Sequence, residues 1–331
     1  MTIGDRAYGA MLGSLVGIRM GRPAVFLTPN QVRWYYDEIE GYTEADPELA
    51  AQQDELRPGS GIDSAEEMMI AADLLIKDRQ FTADGFAAAM KAWCEKDGLL
   101  LNPELDPELR AYLETVSQGG VISPAAEAAC SAGSVLRVVP VGISYYYDPD
   151  KTVEDAVRAI SVSHAGRPSL AAACAVAAAV AAGFNEDFDP AAIMEYAMDA
   201  ALHGEREGED TCLPSVARRI RLAKKIVDGA KGAGMNYFID ELAGVFGNGR
   251  TAYESVPLAL GLFYAAGGDP VAAVPAAAAA GGAAALHAAV CGAVCGAYTG
   301  INGFPKEWAG PARKDAGRNL KSLGMQLTRR I

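Results

Sequence analysis

Three histidines, His164, His203 and His287, are all this 331-residue chain has. So few imidazoles leave little material for a histidine-rich metal site or for many proton carriers near neutral pH. Basic residues are also short: 29 Lys and Arg face 42 Asp and Glu, a net charge of -13. That balance argues against non-specific nucleic-acid binding, which depends on cationic side chains neutralising phosphates. The six cysteines, Cys94, Cys130, Cys174, Cys212, Cys291 and Cys295, are scattered and mostly lie in Ala-rich stretches. There they behave as small apolar residues rather than as a disulfide framework. Only Cys291 and Cys295 are close, at helical spacing, and no second Cys/His pair accompanies them to make a zinc motif. No run of alternating β-branched residues is long enough to make a convincing strand.

Half the residues are hydrophobic and the mean hydropathy is +0.08, enough to bury a large core. The apolar segments Ser169–Ala182 and Val271–Tyr298 are mostly Ala and Gly, and Pro275 and His287 interrupt the second. Both read as buried helices rather than membrane spans. The first residues, Met1 to Arg6, lack a basic region followed by an apolar run, so no signal peptide and a cytoplasmic location are expected.

Helical patterning dominates. A first helix is expected over Asp5–Met20, with Gly9, Gly13 and Gly17 four residues apart, a spacing that allows a second helix to approach closely. Residues Pro23 to Gly61 read as irregular. Further helices are expected from Ser64 to Asp78, Thr82 to Asp97, Asn102 to Gln118 and Pro124 to Arg137, and then in a long series from Thr152 onward. No linker rich in Gly, Ser or Pro divides the chain, so residues 1–331 are expected to form one all-α domain, a multi-helix bundle.

Several short motifs recur in a telling order: Gly9-Ala10-Met11-Leu12-Gly13 through Gly21-Arg22-Pro23; Gly59-Ser60-Gly61-Ile62-Asp63-Ser64-Ala65; Gly133-Ser134-Val135-Leu136-Arg137-Val138-Val139-Pro140-Val141-Gly142; Ser163-His164; Gly247-Asn248-Gly249 with Ala252-Tyr253-Glu254-Ser255-Val256-Pro257; and Gly281-Gly282-Ala283-Ala284-Ala285-Leu286 leading to Gly292 and Gly296. Their order and spacing together, across nearly the whole chain, resemble the ADP-ribosylglycohydrolase family, which includes the dinitrogenase-reductase-activating and ADP-ribose-acceptor hydrolases. The resemblance implies an all-α fold of that type. It also implies a cleft in which Thr-Asp-Asp and Asp-x-Asp-Thr segments hold two Mg²⁺ or Mn²⁺ ions that orient a ribose. Here Ile18 stands for the family's early Asp, Ile62, Ser64 and Ala65 for Thr, Asp and Thr, and Ala283, Ala285 and Leu286 for the last two Asp and the Thr. Hydrocarbon side chains offer no oxygen to a hard cation. The Mg²⁺/Mn²⁺ site is therefore expected to be lost, with no cofactor in its place.

Among the remaining residues, Asp63 and Glu66 are candidate acid/base carboxylates, because glycoside cleavage usually places carboxylates beside an oxocarbenium-like centre. Ser64 and Glu67 also fit a Ser-x-x-Glu capping box, and Asp63 and Glu66 suit the first turn of a helix. His287 is a candidate proton carrier or a hydrogen-bonded core histidine. Ser64, Ser134, Arg137, His164, Glu254 and Tyr146 are candidates for substrate contact. Arg137 either grips an anionic group bidentately or locks two helices. Glu38 and Glu40, in a loop with Trp34, Tyr35 and Tyr36, could supply a carboxylate from a lid over the cleft. The expected activity is metal-independent hydrolysis of a glycosidic bond in a riboside or related small molecule, one less phosphorylated and more apolar than ADP-ribose. The alternatives are a ligand-binding pseudoenzyme and a fold repurposed for lyase or isomerase chemistry. The expected partner is a small-molecule substrate, with neither nucleic acid nor membrane.

Overall fold

A computed structural model describes residues 1–46, 49, 62–97, 105–120, 124–209 and 212–329. Among them are seventeen α-helices and no strand. They are α1 (Ile3–Gly21), α2 (Pro29–Tyr36), α3 (Ile62–Asp78), α4 (Ala83–Asp97), α5 (Pro107–Ser117), α6 (Pro124–Ala128), α7 (Val139–Ser144), α8 (Pro149–Ser161) and α9 (Arg167–Ala182). The series continues with α10 (Pro190–Glu207), α11 (Val216–Gly229), α12 (Met235–Phe246), α13 (Ala252–Ala265), α14 (Pro270–Ala279), α15 (Ala284–Thr299), α16 (Lys306–Asp315) and α17 (Leu320–Thr328). The fold is all-α.

A capping box starts α1: the Asp5 N–H donates to the Thr2 hydroxyl at 3.1 Å, and the Thr2 N–H donates to the Asp5 carboxylate at 3.0 Å. The helix then packs along α15, its most extensive partner. Gly9, Gly13, Gly17 and Gly21 face Gly296, Gly292, Ala288 and Ala284 in turn, so closely that a Cβ on any of the four would strike the opposing backbone. The four-residue glycine spacing therefore sets this contact. Arg6, buried near one end of α1, donates to the carbonyls of Gly183, Ala297 and Tyr298 and ties α1 to the C-terminal ends of α9 and α15. In α9 every residue after Arg167 is buried, and most of α15 is buried too. Alanine is short enough for helices on several sides to approach such an axis.

The structure corrects four expectations about the elements. Within the stretch expected to be irregular, α2 forms, started by a second capping box between Thr28 and Gln31. Most of the remainder of that stretch, residues 47–61 apart from Leu49, lies outside the described residues. The expected helix Pro124–Arg137 breaks up: α6 ends at Ala128, Ser131 bridges to Thr251, and a 3-10 turn covers Val135–Val138. Pro140 stands in the first turn of α7, where its missing N–H breaks no helical hydrogen bond. The helix expected from Asn102 starts at Pro107 with Asp106 as its cap, residues 102–104 lying outside the described residues. Finally, α3 begins at Ile62, so Ser64 and Glu67 sit inside it and their side chains turn to tertiary partners instead of capping it.

Among the described residues no single helix is long and apolar enough to cross a membrane. The one combination that passes on length and composition joins α1 to α2 across an 84° bend, and α1 is packed against α15.

Candidate active site

A cleft of about 330 Å³ opens where α1, α3 and α15 converge on three irregular segments. Ile18 comes from α1, Asp63 and Ser64 from α3, and Ala285 and Leu286 from the start of α15, with Gly282 and Ala283 just before it. Val25 and Phe26 come from the segment after α1, Gly133 and Leu136 from the turn before α7, and Gly249 and Arg250 from the segment before α13. Two of these segments are joined backbone to backbone. The Ala132 N–H donates to the Arg250 carbonyl at 2.9 Å and the Ala252 N–H to the Cys130 carbonyl at 2.7 Å, which fixes Arg250 beside Gly133.

Asp63 is the one acidic residue among the described residues that line the cleft, and it is 4% exposed. One carboxylate oxygen accepts the Ser64 N–H at 2.9 Å and the other the Asp106 N–H at 2.8 Å. Burial, reinforced by the nearby charges of Glu67 and Asp106, pushes its pKa up to about 7. The Ser64 hydroxyl donates to the Gly133 carbonyl at 2.6 Å.

Behind Asp63 lies a charged group absent from the candidates named from sequence. Asp106 caps α5, one oxygen accepting from the N–H groups of Glu108 and Leu109, both at 3.1 Å. The other oxygen takes Arg250 at 2.8 Å, and His164 Nε2 lies 3.3 Å from the capping oxygen. Burial works to raise the Asp106 pKa, but His164, Arg250 and the Leu109 N–H outweigh it and hold the carboxyl below the usual range. A Cβ on Gly133 would collide with this carboxylate, which is why a glycine stands there. An Asp-Pro pair is a sequence signal for a helix start, but the helix was expected from Asn102, and nothing local to Asp106 points to the ion pair. Arg250, in Gly247-Asn248-Gly249-Arg250, carried no comparable signal.

The other candidates are more dispersed. Arg137 is fully buried and all three guanidinium nitrogens have protein partners. Its Nε donates to Glu67 at 2.8 Å, its Nη1 to the Ala159 carbonyl and its Nη2 to Glu67 and the Ser163 hydroxyl, while the guanidinium lies 4.2 Å over the Phe86 ring. The Ser134 hydroxyl donates to the same Glu67. This cluster locks α3 to the turn before α7 and to the end of α8, and it does not line the cleft. His164 extends it, one ring nitrogen on Ser163 and the other on Ser131.

His287 is completely buried, and neither ring nitrogen makes a hydrogen bond of regular geometry among the described residues. Burial lowers its pKa to about 4 against the weaker opposing pull of the Gly249 and Gly281 backbones, so the ring is neutral at physiological pH and is not poised to carry a proton there. Glu66 lines a separate groove with Arg19, Arg22 and Asp315. Tyr146 stacks on Phe184 at 4.9 Å and lines another groove, with Phe188 and Tyr196. Glu254 sits against Gly247 and Gly249 rather than in the cleft. Glu38 lines a groove beside Ile39 and Met235, and Glu40 does not line the cleft, so the segment that reaches the cleft mouth is Val25–Phe26 instead of the loop around Trp34.

Two dications do not fit the donors at the positions where the family resemblance puts them. Ile18, Ala283, Ala285 and Leu286 contribute hydrocarbon, which leaves the single carboxylate of Asp63 and the hydroxyl of Ser64, too few oxygen donors and too little negative charge for two dications. The side chain of Ile62 lies outside the described residues. Elsewhere, Asp106, Glu108 and His164 bring ligand atoms within 4.8 Å of one another, close enough to share an ion. Asp106 there is already engaged by two N–H groups, His164 and Arg250.

The family model for ADP-ribosylglycohydrolase matches residues 1–331. An uncharacterised protein of Archaeoglobus fulgidus is 27% identical over 264 residues, covering 79% of this chain and 77% of that protein. The uncharacterised protein YegU of Escherichia coli K12 is 25% identical over 267 residues, covering 80% of this chain and 79% of its own. With the match running from the first residue to the last, over an all-α fold, this chain belongs to the ADP-ribosylglycohydrolase family.

Proposed function

We propose that the chain is a glycoside hydrolase that cleaves a ribosidic bond in a small, weakly phosphorylated molecule without a divalent metal, with Asp63 as general acid. One observation carries the reading: a carboxyl group whose pKa is raised to about 7 lines an otherwise largely apolar cleft. Near neutral pH a good fraction of Asp63 keeps its proton, as a general acid must.

The bond from the anomeric carbon to the leaving atom breaks as that atom takes the Asp63 proton. The carboxylate left behind lies beside the oxocarbenium-like centre and stabilises its positive charge. Water then adds to the anomeric carbon and returns a proton to Asp63, so the residue ends as it began. Arg250, ion-paired with Asp106, lines the cleft and is the cation we assign to orient a ligand hydroxyl. The volume of about 330 Å³ is at the low end of the roughly 300–1,000 Å³ found for ligand clefts, which favours a nucleoside-sized ligand over a whole ADP-ribose.

The test is turnover of ADP-ribosyl-arginine, ADP-ribose and a nucleoside panel, followed chromatographically with excess Mg²⁺ and with EDTA. Cleavage that persists in EDTA and is lost in Asp63→Asn supports the proposal. Cleavage that needs Mg²⁺ overturns the metal-free mechanism, and no cleavage of any compound gives the weight to a binding protein that lost turnover.

A further inference from the structure

We infer that Phe26 is a stacking platform for a flat aromatic group of the ligand, which makes the substrate a riboside carrying a planar heteroaromatic base. The inference rests on reading the cleft as a ribosidase site, and it adds the class of leaving group.

Phe26 has φ of 67°, in the left-handed region that crowds a side chain's Cβ against its own backbone. The conformation is enforced from across the cleft mouth. The Phe26 N–H donates to the Gly282 carbonyl at 2.8 Å, and the Gly282 N–H donates to the Leu27 carbonyl at 2.7 Å. Gly281 and Gly282 are left-handed as well, with φ of 67° and 59°. A Cβ at the first would strike the Leu27 carbonyl and at the second the Asn248 carbonyl. Of three left-handed positions joined by this contact, two hold the residue that suits them and the third holds a phenylalanine.

Packing does not account for that choice. The Phe26 side chain is 42% exposed and has no aromatic neighbour among the described residues. It lines the cleft that holds Asp63 and Arg250. Backbone strain retained at a ligand cleft by a ring left half-exposed points to a role in binding. A half-exposed ring on a fixed backbone presents a rigid apolar face, whose natural complement is another flat ring.

The experiment measures equilibrium binding of adenosine, uridine and methyl β-D-ribofuranoside by calorimetry, together with hydrolysis of the two nucleosides. The proteins are the wild type, Phe26→Tyr, Phe26→Leu and Phe26→Gly. In the wild type and the Tyr variant both nucleosides are expected to bind about tenfold more tightly than the base-free riboside. The Leu and Gly variants are expected to erase that preference, and the Gly variant to melt no lower than the wild type, because it relieves the backbone while giving up a half-exposed ring. Equal wild-type affinity for all three probes, no nucleoside binding at millimolar concentration, a preference that survives Phe26→Leu, or a melting temperature several degrees lower in Phe26→Gly each overturns the inference. Nucleosides that bind in a Phe26-dependent way without being cleaved would sink the hydrolase reading and leave the platform standing. Hydrolysis that ignores Phe26→Leu would do the reverse.

Discussion

Gly13 and Gly292 meet backbone to backbone where α1 crosses α15, and a Cβ on either would fall on the carbonyl of the other. Neither helix can give way, because Gly9 with Gly296 and Gly17 with Ala288 repeat the contact a turn to each side.

Gly13→Ala is therefore expected to destabilise the protein by about 3 kcal/mol, the upper range for overpacking a core. Gly244→Ala, on α12 with nothing within 4 Å of the added carbon, is the control and is expected to gain about 0.5–1 kcal/mol from helix propensity. Urea denaturation of the two variants checks both signs.

Asp63 makes stability depend on pH in a stated direction. Its pKa is about 7 when folded and near the ordinary aspartate value of 3.8 when unfolded, so between these the native state binds the extra proton. Stability is greatest near pH 4 on this account and falls as pH rises to 7, by on the order of 3–4 kcal/mol. Asp63→Asn should flatten that slope. Denaturation midpoints from pH 4 to 8 decide it, and a wild-type slope equal to that of the variant would count against the shift.

Glu67→Gln strands the buried Arg137 cation and is expected to cost about 3–5 kcal/mol. Replacing both residues together, Glu67→Met with Arg137→Met, should recover much of that loss, since the pair's desolvation disappears with it. Melting curves of Glu67→Gln and of the double variant separate an ion pair from simple packing.

Calorimetric titration with Mn²⁺ is expected to show no micromolar site in the wild type and a gained one in the Ala283→Asp, Ala285→Asp double variant. Micromolar binding to the wild type that vanishes in Asp106→Asn would place an ion instead among Asp106, Glu108 and His164.

Periodicity and glycine spacing were enough to read the all-α class and the close approach of a partner to α1. They could not show that Pro124–Arg137 breaks, because its break depends on Ser131 pairing with Thr251, far along the chain. The cleft was partly legible. Asp63, Ser64, Ile18, Ala283, Ala285 and Leu286, singled out by motif, are all among its lining residues. Arg137 was ambiguous in sequence because a bidentate arginine looks the same whether its carboxylate belongs to a ligand or to Glu67. Asp106 and Arg250 were missed because neither carries a motif of its own; they meet only when the segments before α5 and α13 are folded together. Phe26 was missed because its backbone angle, not its identity, makes it unusual.

The seam between α1 and α15 runs directly into the cleft, with Gly21 against Ala284, one turn from Ile18 and adjacent to Ala285. The cleft floor thus lies at the end of the most extensive helix contact among the described residues, and the paired backbones hold these two helices together there. That wall of the cleft is set by the scaffold, and the polar chemistry comes from Asp63 and Arg250, which other segments bring to it. Within such an architecture the residues that line the cleft can change while the helix contact that frames it stays the same.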